Sequence, residues 1–350
     1  EFRYTNTFNY YNIFRDVNTV EHAKKQQKVG HKLTFEKELY DFNSKINLMG
    51  ELHNQYYLTE DKRIDSKDIS GDYYRLFPMT GISIETPIKE KNTNIIISPT
   101  AMLVINSAQS NSNKISNEDS TNNTIGIANN KQLNRYSGTD KFDNSKRINY
   151  GVNFKKGNGA LTFSQNYEFS RNSNYHKESG NGKYLSHLLG NFNYENNNNF
   201  YNHNISYDPH HNFIESETIK AKTTNKYFDI EASYLDIKNI VNNNVINSLE
   251  NIKLTLNSSK FLDYNKLNFT SNYDLLNDQA LDYSVGYSYY DECFGINLGF
   301  ARKLYTDVNL EPSDTLTLMF SFKNLGSYQS TNLAVSETDK QDIEWESYKV

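Results

Sequence analysis

The chain has one cysteine, one tryptophan, five prolines and sixteen glycines in 350 residues. A single cysteine excludes an internal disulfide framework and any cysteine-based zinc site. So few prolines and glycines exclude collagen-like and proline-rich chains. No run of about eighteen apolar residues occurs, so no segment reads as a transmembrane helix. The formal net charge of -5 leaves no basic footprint for nucleic acid. There is no GxSxG, HExxH, GxGxxG or P-loop pattern.

Aromatic residues are abundant instead, with 27 Tyr and 20 Phe, and Asn is extreme at about fifty. Mean hydropathy is -0.78. A disordered chain would lack these aromatics. Two classes remain: a large soluble β protein, or a membrane β-barrel, which is hydrophilic on average because only every second strand residue faces lipid. The chain starts at Glu1 and carries no signal peptide. The expectation is that a leader was removed or that this is the C-terminal piece of a longer protein.

Residue order favours strands almost everywhere. Tyr283, Val285, Tyr287 and Tyr289 alternate with Ser284, Gly286 and Ser288. Phe294, Ile296, Leu298 and Phe300 alternate with Gly295, Asn297, Gly299 and Ala301. Leu316, Leu318, Phe320 and Phe322 alternate with Thr315, Thr317, Met319 and Ser321, and Ile148, Tyr150, Val152 and Phe154 with Asn149, Gly151 and Asn153. Gly157-Asn158-Gly159 reads as a tight hairpin turn, and Gly180-Asn181-Gly182, Asn196–Asn199 and Asn242–Asn244 as further turns. The spacing predicts about sixteen strands, each roughly 22 residues with its loop, which suits a barrel strand with one short turn and one long loop. Glu21–Lys28, polar all round, reads as an exposed loop. Ser107–Asn134 reads as a long functional or mobile connection. The barrel is expected over residues 1–327 and a polar tail over 328–350, with no linker between two cores.

One face carries Tyr, Phe, Leu, Ile and Val, the other Ser, Thr, Asn and Gly. The dominance of Tyr and the continuity of the polar face favour an outer-membrane barrel with aromatics toward lipid and polar residues around a wet lumen. Asp208, His203, His210 and His211 read as a polar extracellular loop rather than a metal site. Sequon matches such as Asn122 and Asn257 are expected by chance at this Asn content. Adjacent Glu118 and Asp119, if in a strand, point to opposite faces and form no acid–base pair. No catalytic residue, metal site or cofactor is expected.

Four separated blocks are more specific. Ile115-Ser116-Asn117-Glu118-Asp119-Ser120 is followed by Asn134-Arg135-Tyr136-Ser137-Gly138-Thr139-Asp140-Lys141 and then Arg147-Ile148-Asn149-Tyr150-Gly151. Ser98-Pro99-Thr100-Ala101 precedes them. Cys293-Phe294-Gly295-Ile296, Arg302-Lys303-Leu304 and Phe320 to Gly326 come near the end. Together, over residues 70–328, they resemble the C-terminal barrel of the LPS-assembly protein family LptD, with Ser116 where that family usually has Pro, Lys141 where it has Arg, and Thr139 where an aromatic is common.

The resemblance implies transport of lipopolysaccharide to the outer leaflet of the Gram-negative outer membrane, without enzymatic activity. It implies a polar lumen for sugars and a lateral exit for acyl chains, since exposing them to water costs about 25 cal/mol per Å². The exit would lie at the last strand, here Thr315, Leu316, Thr317, Leu318, Phe320 and Phe322, with its partner strand outside this chain. It also implies a lipoprotein plug like LptE, with the 107–134 loop folded inward beside it, and a periplasmic Lpt bridge reached through an absent N-terminal domain, disulfide-bonded to Cys293. Asn117, Glu118, Asp119, Ser120, Arg135, Tyr136, Gly138 and Asp140 form the family-motif loop, expected to pack and fold the barrel more than to touch substrate. Surrounding lipid completes the partners. The rival readings are a general diffusion porin and a soluble β-sandwich or carbohydrate-binding module.

Overall fold

A computed structural model of the chain describes residues 2–19, 21–120, 125–172, 175, 182–241, 244–258, 264–304, 313–322, 326–329 and 333–335. Among these residues there is no α-helix and nineteen strand segments; β5 (Ile88–Lys89), β18 (Gly326–Gln329) and β19 (Leu333–Val335) are short, leaving sixteen of eight residues or more. The expected turns at Gly180-Asn181 and Asn242-Asn243, the sequon Asn122 and the tail beyond residue 335, including Trp345, lie outside the described residues. Two compact units share the chain, Glu1–Asn191 with Ser206–Ile214, and Phe192–Ile205 with Glu215–Val350. Their boundaries fall within strands rather than at a linker.

In the first unit, β1 (Phe2–Phe14), β2 (Lys25–Asp41), β3 (Ser44–Ile64), β4 (Lys67–Glu85), β6 (Ile96–Asn106), β7 (Lys146–Lys156) and β8 (Gly159–Glu168) pair antiparallel, each with the next. The turns follow the local chemistry. Phe42-Asn43 and Asp65-Ser66 join β2 to β3 and β3 to β4 as two-residue loops with both residues at positive φ, the geometry whose twist matches that of the strands. Gly157, at φ +54°, opens the two-residue turn between β7 and β8. Pro99 lies where the ladder on β6 passes from β4, paired as far as Thr100, to β5, paired from Ile97. An absent N–H is tolerated at such a gap.

Lys25–Lys28 begin β2, and Lys28 is fully buried. The reading of Glu21–Lys28 as an exposed loop is therefore corrected at its second half. Polarity on every side there reflects a strand whose inward face meets other polar groups, not solvent.

In the second unit, β11 (Phe213–Thr224), β12 (Phe228–Val241), β13 (Asn244–Ser258), β14 (Asn265–Asp274), β15 (Gln279–Tyr290), β16 (Phe294–Lys303) and β17 (Ser313–Phe322) likewise pair antiparallel in sequence order. β18 and β19 pair with the other edge of β17. Tyr328 and Gln329 thus belong to a strand rather than to the polar tail expected from residue 328.

Register sorts the side chains, because cross-strand partners share a face. Val285 pairs with Phe300 and Phe300 with Leu316, while Ser284 pairs with Ala301 and Ala301 with Thr315. Val285, Leu298 and Leu316 are exposed, and neither Tyr283 nor Phe320 is buried. No described residue of this unit contributes a buried hydrophobic side chain. Across all described residues, thirty polar or charged side chains are buried against eleven hydrophobic ones. A soluble sandwich reverses that order, since apolar burial is what stabilises it. Here the apolar face must be covered by something other than the protein.

Candidate functional site

The polar face of the first unit is covered by residues 107–120 and 125–145, which have no regular structure. β3 turns His53, Gln55, Tyr57 and Thr59 toward it and β4 turns Arg75, Phe77 and Met79, while Asn54, Tyr56, Tyr74 and Leu76 face the other way. Gln26 and Lys28 of β2, Met102, Val104 and Asn106 of β6, Arg147 and Asn149 of β7, and Ser164, Asn166 and Glu168 of β8 complete the buried surround.

Two halves of the segment clasp each other through a pair of carboxylates. Asp119 accepts the amides of Thr139 (2.9 Å) and Asp140 (2.8 Å). In return Asp140 accepts the amides of Glu118 (2.8 Å) and Asp119 (3.2 Å). Ser120 Oγ accepts the Asp140 and Lys141 amides at 2.9 and 3.0 Å, and Asn117 closes its own turn onto Ser120. Gly138, at φ +73°, approaches so closely that a Cβ would meet the Asp119 carbonyl oxygen at 2.2 Å. Any other residue would be strained and blocked there.

The clasp is anchored to the strands by charge. Lys28, fully buried, reaches Asp140 at 2.7 Å, Thr139 Oγ1 at 2.5 Å and Asp119 at 3.4 Å. Tyr11 and Tyr57 donate to Asp140 at 3.0 and 3.2 Å. Arg75 donates to the carbonyls of Asp140 and Thr139, both at 2.8 Å. Arg15 of the β1–β2 connection pairs with Glu118, and Lys62 donates to the Ile115 carbonyl at 2.6 Å.

A second cluster lies deeper. Arg135 pairs with Asp143 and, at 2.6 Å, with Glu168, and Arg147 meets Asp143 at 3.3 Å, all four being fully buried. Two cations and two anions cancel, which is the condition under which charge survives burial. Between the clusters, Phe77, Met79, Met102 and Val104 pack on Leu133 and Phe142. The face expected to be wholly polar therefore has an apolar patch that receives the loop. Its signal is Leu76-Phe77-Pro78-Met79, apolar on both faces of one strand.

The carboxylates have displaced pKa values. Burial works against the charged form of Asp119, yet the Lys28 ammonium, the Thr139 amide and the hydroxyls of Ser120 and Thr139 outweigh it and hold the group at about 2. Asp143, still more deeply buried, is held at about 2 by Arg135 and Arg147.

Of the residues singled out in the sequence, the loop group is thus brought together. Ser116, in place of the family's usual Pro, accepts the Ala23 amide at 2.9 Å and donates to Glu118. Thr139 bonds both Lys28 and Asp119. Cys293 is exposed in the turn before β16, where its amide donates to Asp291 at 2.8 Å. Thr315, Leu316, Thr317, Leu318, Phe320 and Phe322 lie on β17. Asp208, at the end of β10 (Asn199–Asp208), pairs with His211 at 2.8 Å and His187 at 3.3 Å, while His203 pairs with Glu217. Sequence reasoning missed Tyr11, Lys28, Tyr57 and Arg75, whose signal lay only in their alternation along strands.

An antiparallel sheet with exposed aromatics, a charged and hydroxyl-rich interior and a loop folded onto that interior is of the outer-membrane β-barrel class. The family model described as LPS transport system D, LptD, matches residues 1–278, and the chain belongs to this family. Its function accordingly falls in lipopolysaccharide transport and outer-membrane assembly, and its place is the Gram-negative outer membrane. No curated protein matches the chain. Among solved structures it is similar to a mutant of the Rhodopseudomonas blastica porin, with 8% identity and a TM-score of 0.35 over 87% of this chain and 95% of that one. It is also similar to the siderophore receptor PirA of Acinetobacter baumannii, with 8% identity and a TM-score of 0.41 over 86% of this chain and 56% of that one. Scores this low establish no shared fold.

Proposed function

We propose that the hydroxyl- and charge-lined face encloses a wet passage for the sugar portion of lipopolysaccharide, and that the acyl chains leave sideways at β17. The observation that carries this reading is the inverted burial, with polar groups inside and aliphatic and aromatic groups exposed. A sugar exchanges water for hydroxyls and amides along such a face at little cost, whereas an acyl chain gains by staying in lipid. β17 would serve as the exit strand through Thr315, Leu316, Thr317, Leu318, Phe320 and Phe322. Its free edge is occupied by β18 and β19, so release requires those two short pairings to open. Three residue pairs join β17 to β19, few enough for such opening.

The test is to lock the register pair Thr315 and Ala334 as cysteines (T315C with A334C) in the full-length protein. Oxidation should stop the appearance of new lipopolysaccharide at the cell surface, and reduction should restore it. Undiminished surface delivery with the lock closed would overturn the exit. A diffusion porin, the rival, would give steady ion conductance alone and leave surface lipopolysaccharide independent of the gene.

Two partners belong to the same reading. A lipoprotein of the LptE kind would share the lumen with the docked loop, and the periplasmic Lpt bridge would join through an N-terminal domain. The exposed Cys293 would hold that domain by a disulfide, the periplasm being oxidising. Thiol labelling of the native full-length protein should then leave Cys293 unmodified until reductant is added, and free labelling beforehand would contradict it.

A further inference from the structure

The outward face of the second unit is not smooth. Phe228 pairs with Ser258, and the Leu267 amide donates to Ser258 Oγ at 2.6 Å. A small side chain thus lies between two large ones. The next row of the same face runs Ile230, Leu256, Phe269 and Val285 in register across β12 to β15. Together these residues bound a trough of about 460 Å³. Asn257 and Asn268 also border it, but alternation turns their side chains to the other face. The Ser258 hydroxyl is already engaged, so the walls offer hydrocarbon an apolar surface with no unmet polar group.

Each class of occupant makes a different demand on such a trough. A sugar, an ion or a soluble peptide finds no hydrogen-bond partner there. The rims Phe228 and Leu267 stand two strand spacings apart, about 9.6 Å, too close between side chains for a helix about 10 Å across. An acyl chain fits. Three strand spacings make the four-residue row about 14 Å long, near the depth of one leaflet in a hydrocarbon core about 30 Å thick. At the same end lie the groups of a headgroup level. Tyr227 is exposed with Lys226 Nζ 5.7 Å over its ring, and exposed Tyr264 packs against Tyr289 at 6.2 Å. A chain entering from lipid gains no hydrophobic transfer energy; it gains the contacts that an unfilled trough forfeits.

The leaflet selects the lipid. Asn265 lies opposite Tyr289, so this end of the strands is also the end of the turn that carries Cys293. With Cys293 in the periplasm, as proposed above, the trough opens to the periplasmic leaflet, where glycerophospholipids supply the chains. We infer that the trough bounded by Phe228, Ile230, Leu256, Leu267, Phe269 and Val285 is a seat for one acyl chain of a glycerophospholipid. The inference rests on the proposed reading of the two faces and of Cys293, and it adds a specific site to the surface that meets lipid.

Two measurements on the full-length protein test it. The first uses phosphatidylcholine vesicles with a trace of phosphatidylethanolamine bearing a diazirine midway along one acyl chain. Photolabelling of Leu267 and Phe269 should fall about threefold in Leu256→Trp, whose indole fills the trough, the scale of a handful of lost atom contacts. Ile230→Trp, a second filler on the neighbouring strand, should act alike, and Leu298→Trp, elsewhere on the face, should change nothing. In the second, the protein is extracted from outer membranes in mild detergent and weighed by native mass spectrometry. It should retain phospholipid, and the two fillers should retain less. Labelling unaltered by both fillers would overturn the seat while leaving the reading of the faces intact. Retained lipopolysaccharide that the fillers remove, in place of phospholipid, would overturn the lipid assignment. Label on Ser284, Asn297 and Thr315, with the outward residues unmarked, would overturn the reading of the faces and the seat with it.

Discussion

At the scale of single residues, the fold of the motif loop depends on a few charges that have no water to fall back on. Arg135 is the clearest, with its guanidinium between Asp143 and Glu168, all buried. Arg135→Ala leaves both carboxylates facing one remaining cation, Arg147. Removing one member of such a set typically costs about 3–5 kcal/mol. The expected outcome is a large drop in the urea midpoint and in the yield of assembled barrel, with transport per folded molecule much less affected. Normal assembly with transport lost would mean that Arg135 acts on substrate instead. Much of this site was legible in advance, because Asn117–Ser120 and Arg135–Asp140 stood out as spaced blocks. Their strand-borne partners were not, because Lys28 and Arg75 look like ordinary polar alternation until the register places them opposite Asp140.

At the scale of elements, residues 107–120 and 125–145 behave as a docked unit whose attachment is mainly electrostatic. Its pH dependence follows from the two displaced carboxyls. Asp119 and Asp143 take up protons near pH 3.8 when unfolded but only near pH 2 when docked. Their contribution is therefore complete above about pH 4–5 and is lost as pH falls through 4 toward 2. Protease accessibility of the loop in the detergent-solubilised protein should stay low from pH 7 to about 5, then rise steeply below pH 4. A loop equally protected at pH 2.5 would show that the apolar patch of Phe77, Met79, Leu133 and Phe142 holds it instead. That patch, with the strand beginning at Lys25, marks the limit of pattern reading for elements. Period two gave the strands and their faces correctly at β7 and β15–β17, but one polar run became a strand, and one face taken as polar proved locally apolar. In both places a neighbour distant in sequence, the folded-in loop, decides the environment.

At the scale of the whole molecule, everything follows from which face meets hydrocarbon. Tyr and aliphatic residues alternate with Ser, Thr, Asn and Gly over strand after strand, and each unit buries its polar side chains in preference to its apolar ones. The class was legible in composition and order alone, because alternation is a property of local sequence. Which face is wet is not local; the preferential burial of polar side chains and the docked loop are what support the polar one. The most direct measurement places single tryptophans in a Trp345→Phe background, with the protein reconstituted in lipid. Tryptophan at Val285, Leu298 or Leu316 should be quenched by brominated acyl chains and spared by acrylamide, and tryptophan at Ser284, Asn297 or Thr315 should show the reverse. Bromine quenching confined to the second set, or a protein that stays folded and soluble without detergent, would contradict the account.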